Sequence, residues 1–150
     1  MTIKDTYRDN PKLKRVGVKV PFTQEQVQEY IKCASDPVYF AKYITIVSLD
    51  KGIIPFEMYD FQKDMINTFH QNRFVIVKCP RQVGKTTTTI AYLLWTILFK
   101  DSQNVAVLAN KGKTSRDILG KLQLAYENLP MWLQQGVERS EEHTSELQSH

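Results

Sequence analysis

Phe74-Val75-Ile76-Val77-Lys78-Cys79-Pro80-Arg81-Gln82-Val83-Gly84-Lys85-Thr86 decides how the rest of this chain is read. Its first four residues are apolar and mostly β-branched, the composition of a short strand buried on both faces. From 87 to 99 long apolar side chains recur at helical spacing, so the junction reads strand, loop, helix. In that order the loop N–H groups and the helix N-terminus converge on a small anion pocket suited to a β-phosphate. The Lys85 ammonium can then reach the β- and γ-phosphate oxygens, and the Thr86 hydroxyl can ligate the Mg²⁺ that bridges them. The expected binding set is Cys79, Pro80, Gln82, Val83, Gly84, Lys85, Thr86 and Thr87, with Thr86 as metal ligand.

The general pattern is G-x-x-x-x-G-K-[ST], and Cys79 stands where its first glycine would be. A side chain is tolerable there if the backbone keeps a negative φ, whereas Gly84 needs the freedom that glycine alone has. The competing reading is a bare Gly-Lys-Thr at an ordinary helix start.

Cys-Pro-Arg-Gln-Val-Gly-Lys-Thr resembles the deviant phosphate loop of the large terminase subunit of tailed bacteriophages, the DNA-packaging ATPase, and is most similar to the T4-like group. The similarity runs from about Phe22 to about Gly136. It implies an α/β, helicase-like (ASCE) P-loop NTPase with a parallel sheet preceded by N-terminal helices, and it implies ATP and Mg²⁺ as cofactors. It assigns Lys85 and Arg81 to catalysis, Arg81 as an arginine finger supplied in cis that neutralises charge developing on the γ-phosphate; the alternative for Arg81 is a salt bridge elsewhere. An aromatic followed by Gln about twenty residues ahead of the loop is similar to the family's adenine-reading motif. Here that is Phe61-Gln62: the Gln62 amide offers a donor and an acceptor to the N6 and N7 edge of adenine, and Phe61 or Tyr59 could stack on the base. The alternative is a helix first turn with Gln62 on its wet face. The partners implied are double-stranded DNA, a portal protein, a small terminase subunit and further copies in a homo-oligomeric ring. The implied location is the host cytoplasm at the procapsid portal.

The 150 residues carry a charge of +4, from 20 Lys and Arg against 16 Asp and Glu. Such an excess fits a nucleic-acid partner and many other proteins equally. Cys33 and Cys79 have neither metal-ligand nor disulfide spacing, which points to a reducing cytosol. No segment approaches the roughly 18 apolar residues of a membrane span, and the start lacks the apolar core of a signal peptide, so neither membrane insertion nor secretion is expected.

Residues 1–21 are polar and basic without apolar period, and read as a mobile arm, either solvated or touching DNA or another subunit. Thr23 with Gln26 three residues on is a capping box, followed by an apolar face of Val27, Tyr30 and Ile31. Asp36-Pro37 opens a second helix that buries Val38, Phe40, Ala41, Tyr43 and Ile44. The run 46–50 ends in Asp50 as a Mg²⁺-binding strand would. It precedes the loop, however, and Lys51 and Gly52 follow it, so it is read as a turn-bounded strand without that role. Residues 105–109 read as a second buried strand, followed by a donor-rich turn at 110–115 and a helix from Ser115 to Asn128. In the similar family that turn faces DNA or couples to the nucleotide site; as bare sequence it is equally a surface loop.

From Arg139 to His150 the text loses all apolar period and resembles the translation of a common short-read sequencing adapter. It is read as an assembly artefact, so the organisation is 1–21 arm, 22–138 N-terminal part of an ATPase domain, and 139–150 foreign. Without these twelve residues one cation and three carboxylates leave, and the charge moves from +4 to +6. No apolar strand ending in Asp-Glu follows Lys85, nor do a coupling motif or nuclease carboxylates. The expectation is therefore a fragment with an incomplete sheet, open strand edges prone to aggregation, and no turnover of its own. Competing readings are another helicase-like ATPase or a nucleoside kinase, the latter disfavoured by Cys79 and Arg81, and a non-catalytic nucleotide-binding module.

Overall fold

The computed structural model describes residues 6–7, 10–15, 17–48 and 50–134. Its elements run β1 (Thr6–Tyr7), β2 (Asn10–Lys14), α1 (Gln24–Ser35), α2 (Pro37–Phe40), a 3-10 turn (Ala41–Tyr43), β3 (Thr45–Ser48), β4 (Gly52–Pro55), α3 (Asp60–Gln71), α4 (Lys85–Phe99) and α5 (Gly112–Glu127). The fold is thus mixed helix and strand, and among the described residues the strands form two small antiparallel sheets, β1-β2 and β3-β4.

Local chemistry sets most of these boundaries. The Thr23 hydroxyl accepts from Gln26 N at 3.2 Å while the Gln26 side chain accepts from Thr23 N at 3.1 Å, which closes the expected capping box on α1. Asp36 caps α2 by accepting from Val38 N at 2.8 Å, and Pro37 occupies the first turn, where its missing N–H costs nothing. Gly52 takes φ 70°, and the chain turns back so that Thr45 faces Pro55 and Ile46 faces Ile54. The run ending at Asp50 is therefore one arm of a hairpin.

The core is built around α4. Its Ile90, Ala91, Leu94 and Trp95 are buried together with Cys33, Phe40, Ile44, Phe56, Ala125, Leu129 and Leu133. A large apolar side chain removed fully from water contributes about 1.5–3 kcal/mol, so Ile90, Leu94 and Trp95 together are a sizeable part of what holds the region. The Trp95 indole donates to the Cys33 carbonyl at 2.7 Å, satisfying a buried donor and fixing α1 across α4. Burial pushes the Cys33 thiol up to about 11, so it stays protonated and inert. The face that α1 buries is rotated from the expected one: Val27 and Ile31 are exposed, while Cys33 is buried and Tyr30 packs on Phe99. Tyr30 against Phe99 and the Cys33 carbonyl on Trp95 fix this rotation. Of the side chains expected inside from this segment, Phe40, Ala41 and Ile44 are buried and Val38 and Tyr43 half-buried; Tyr43 and its half-buried neighbour Tyr39 donate their hydroxyls to the Glu29 carboxylate.

The N-terminal segment read as an arm without apolar period carries the β1-β2 pair, and Leu13 and Lys14 are buried. Gln134 holds it: its side chain accepts from Lys14 N and donates to the Lys12 and Leu129 carbonyls. Residues 139–150 lie outside the described residues.

The two strands expected to form a parallel sheet do not pair. Residues 74–77 and 105–109 have no ladder, and among the described residues no backbone hydrogen bond reaches either. Phe74, Ile76 and Leu108 are 84%, 98% and 90% exposed, whereas Val75 and Val107 are half-buried. The missing pairing has a physical reason. The expected strands needed cover on both faces and a neighbour for each edge, and an open cleft of about 390 Å³ separates Val77 from Ala106, Val107 and Leu108.

Candidate phosphate-loop site

The turn before α4 has the backbone that the sequence demands. Gly84 is left-handed at φ 79° and is the N-cap of α4, and Gln82 is also at positive φ, 63°. Gln82 therefore bends the loop. Cys79 is not among the positive-φ residues, so a side chain there costs no backbone strain. Helix α4 begins at Lys85, two residues before the apolar period becomes visible, because its first turn is polar. Four successive threonines are poor helix formers. Thr88 and Thr89 are accommodated by donating their hydroxyls to the Gly84 and Lys85 carbonyls at 3.0 and 2.9 Å. Gly84 supplies no capping side chain, and the first helical N–H to find a backbone carbonyl is that of Thr88, bonded to Gly84 O at 3.0 Å. The N–H groups of Lys85, Thr86 and Thr87 thus form the positive end of a 15-residue helix.

Lys85 folds back across the loop and donates from Nζ to the Pro80 carbonyl at 3.2 Å. Lys85 and Thr86 line the open cleft together with Thr89, Leu93, Val107 and Ile118. Among the described residues its wall is apolar apart from this ammonium and these hydroxyls, and none of them brings a carboxylate to it. Pro80, Arg81 and Gln82 are exposed at the tip, while Cys79, Val83, Thr86 and Thr87 are half-buried. Among the described residues Arg81 makes no ion pair, so its guanidinium is not committed to the protein. The loop set is therefore brought together on one short turn.

The adenine pair is placed differently. Gln62 is 2% exposed. Its Oε1 accepts from Tyr59 N at 3.0 Å and its Nε2 donates to the Val83 carbonyl at 3.2 Å. Both groups expected to meet a base edge face protein backbone instead. Phe61 and Tyr59 are exposed and stacked on each other, with ring centroids 5.9 Å apart and planes 10° apart. The contact from Gln62 to Val83 is the feature that sequence reasoning missed. Gln62 at the third position of a helix is a capping signal, which accounts for one of its bonds and gives no hint of the other.

The donor-rich turn at 110–115 is largely helical, since α5 starts at Gly112; Lys111 and Lys113 are exposed at that helix end. Among the described residues no group of three or more His, Cys, Asp or Glu is placed to hold a metal ion. Thr86 alone suits a cation that takes most of its ligands from phosphate oxygens and water, as Mg²⁺ does, and does not suit a metal bound by protein alone. No helix among the described residues is long and apolar enough to cross a membrane. No family model matches the chain.

Proposed function

We propose that residues 79–87 bind the triphosphate of ATP as its Mg²⁺ complex, and that the chain is the nucleotide-binding part of a terminase-like, DNA-translocating ATPase. One observation carries the reading: a left-handed Gly84 turns the chain from the loop into α4, with Lys85 lying across the loop on the Pro80 carbonyl. On this reading the N–H groups of Lys85, Thr86 and Thr87 cradle the β-phosphate. Lys85 exchanges a neutral carbonyl for phosphate oxygens, a charge-assisted and stronger partner. Thr86 holds the Mg²⁺, which neutralises phosphate charge when bound. Arg81, uncommitted at the loop tip, is free to swing onto the γ-phosphate. The parallel sheet belongs to the same proposal: 74–77 and 105–109 are strands of it, with another strand between them. Double-stranded DNA, a portal protein, a small terminase subunit and a ring of further copies are the partners it implies.

Calorimetric titration of the chain with ATP and Mg²⁺, beside Lys85→Ala, tests the site. The ammonium contributes a charge-assisted bond of about 1.5–3 kcal/mol, so Lys85→Ala is expected to weaken binding at least tenfold with an unchanged circular dichroism spectrum. Equal affinity for the two proteins would sink the assignment. A second reading, a nucleotide-binding module without turnover, is favoured by the cleft wall, whose described residues include no carboxylate to orient an attacking water. Measurable, Lys85-dependent ATP hydrolysis by this chain would exclude it.

A further inference from the structure

We infer that Gln62 is a positioning residue that latches the phosphate loop from below and does not read the base; the inference rests on the phosphate-site reading above. Three observations converge on it. The Gln62 amide orientation is fixed chemically, since turning it over would set its NH₂ against Tyr59 N–H and its oxygen against the Val83 carbonyl. A side chain that is 2% exposed cannot present that edge to a ligand. A Cβ built on Gly84 would come within 2.5 Å of Gln62 Nε2, so the amide occupies the space that a side chain at position 84 would take.

Position 84 is therefore glycine for two reasons that act on the same peptide. The backbone there is left-handed, and the latch needs the room. By holding the Val83 carbonyl, Gln62 fixes the peptide that joins Val83 to Gly84. That peptide sets where the Lys85, Thr86 and Thr87 N–H groups point. The latch also ties the start of α3 to the start of α4, so the exposed Tyr59 and Phe61 rings keep a set position relative to the loop. The consequence for recognition is specific. Loss of the latch should weaken every ligand that carries the phosphates, whatever its base, whereas loss of a base reader should weaken ATP alone.

Two variants separate the latch from the helix cap. Gln62→Glu keeps an acceptor for Tyr59 N, as a capping box allows, but cannot donate to Val83. Gln62→Met keeps the volume and loses both bonds. Each is titrated with pyrophosphate, ATP and GTP, its melting temperature is recorded, and the backbone amide signals of Gly84 and Lys85 are followed by NMR in the free protein. Gln62→Met is expected to lose about fivefold in affinity for all three ligands, one hydrogen bond's worth, and Gln62→Glu at least that, since its carboxylate also repels phosphate. Both variants should lower the melting temperature, because each gives up the bond to Val83 and Gln62→Glu also sets a buried carboxylate against that carbonyl, and in both the Gly84 and Lys85 signals should move while those of α5 stay. A loss confined to ATP would make Gln62 a base reader and overturn the inference. So would unchanged affinities, or unmoved Gly84 and Lys85 signals. Failure of the wild-type chain to bind any of the three ligands would refute the phosphate site itself, and the amide signals would still decide the latch.

Discussion

Replacing Gly84 by alanine sets two costs against one methyl group. An L-residue in the left-handed region costs about 1–2 kcal/mol, and Gly84 sits there at φ 79°. The new Cβ would also meet Gln62 Nε2 at 2.5 Å. The amide is the far end of a flexible side chain and can move aside, but only by giving up its bond to the Val83 carbonyl, worth about 1 kcal/mol. Together these give about 2–3 kcal/mol. If the loop keeps its shape, the cost appears in stability; urea unfolding, with a slope of roughly 1–3 kcal/mol per molar, would show the midpoint falling by about 1 M. If the loop relaxes out of the left-handed turn, the cost appears in binding, as a loss of roughly 30- to 150-fold for pyrophosphate. The loss summed over both measurements is the expected quantity. Gly84→Ala with wild-type midpoint and wild-type affinity would refute both the conformational and the steric reasoning.

Trp95→Phe leaves the Cys33 carbonyl without its donor inside the core, and a loss of about 1–3 kcal/mol is expected in urea unfolding; a change below 0.5 kcal/mol, roughly the scatter of surface substitutions, would show that the bond does not hold α1. Glu29 accepts from Lys42, Tyr43, Tyr39 and Lys32, and these bonds, Lys42's foremost, hold its carboxyl down from an ordinary 4.5 to about 2. A depressed carboxyl stabilises the fold fully above its unfolded value, and that contribution is lost as pH falls from about 4.5 toward 2. Glu29→Gln should flatten the acid side of a melting-temperature profile over that window, and an unchanged profile would remove Glu29 from the account. Arg81→Ala should leave the affinity for ATP within about twofold while weakening ADP with aluminium fluoride far more, because a finger acts on charge that develops in transfer; equal losses on both would make Arg81 a ground-state binder.

Features governed by neighbours in sequence were legible from it. The Thr23 and Gln26 capping box, Pro37 in a first turn, the hairpin bend at Gly52 and the left-handed Gly84 each follow from what one or two residues can do with their own backbone. Features set by distant partners were not. The β-branched composition of 74–77 and 105–109 states a preference for extended chain, but pairing depends on what lies alongside, and in each segment only one residue, Val75 or Val107, is even half-buried. The apolar period of α1 is satisfied by several rotations of the helix, and the one adopted follows from the aromatic surface of α4. At the site the loop could be read from its motif. The direction of the Gln62 side chain could not, because a helix N-terminal Gln can cap its own turn, face water or reach a loop 21 residues on with the same sequence around it.

The most direct test of the central claim is the amide spectrum of the ¹⁵N-labelled chain during titration with pyrophosphate and Mg²⁺. A phosphate seated at the start of α4 accepts from the Lys85, Thr86 and Thr87 N–H groups, so these signals and that of Gly84 should shift downfield together and saturate with a single dissociation constant, while the signals of α1 and α5 stay in place. If those four signals do not move, or if the shifts centre on Lys111 and Lys113 instead, residues 79–87 are not the phosphate site.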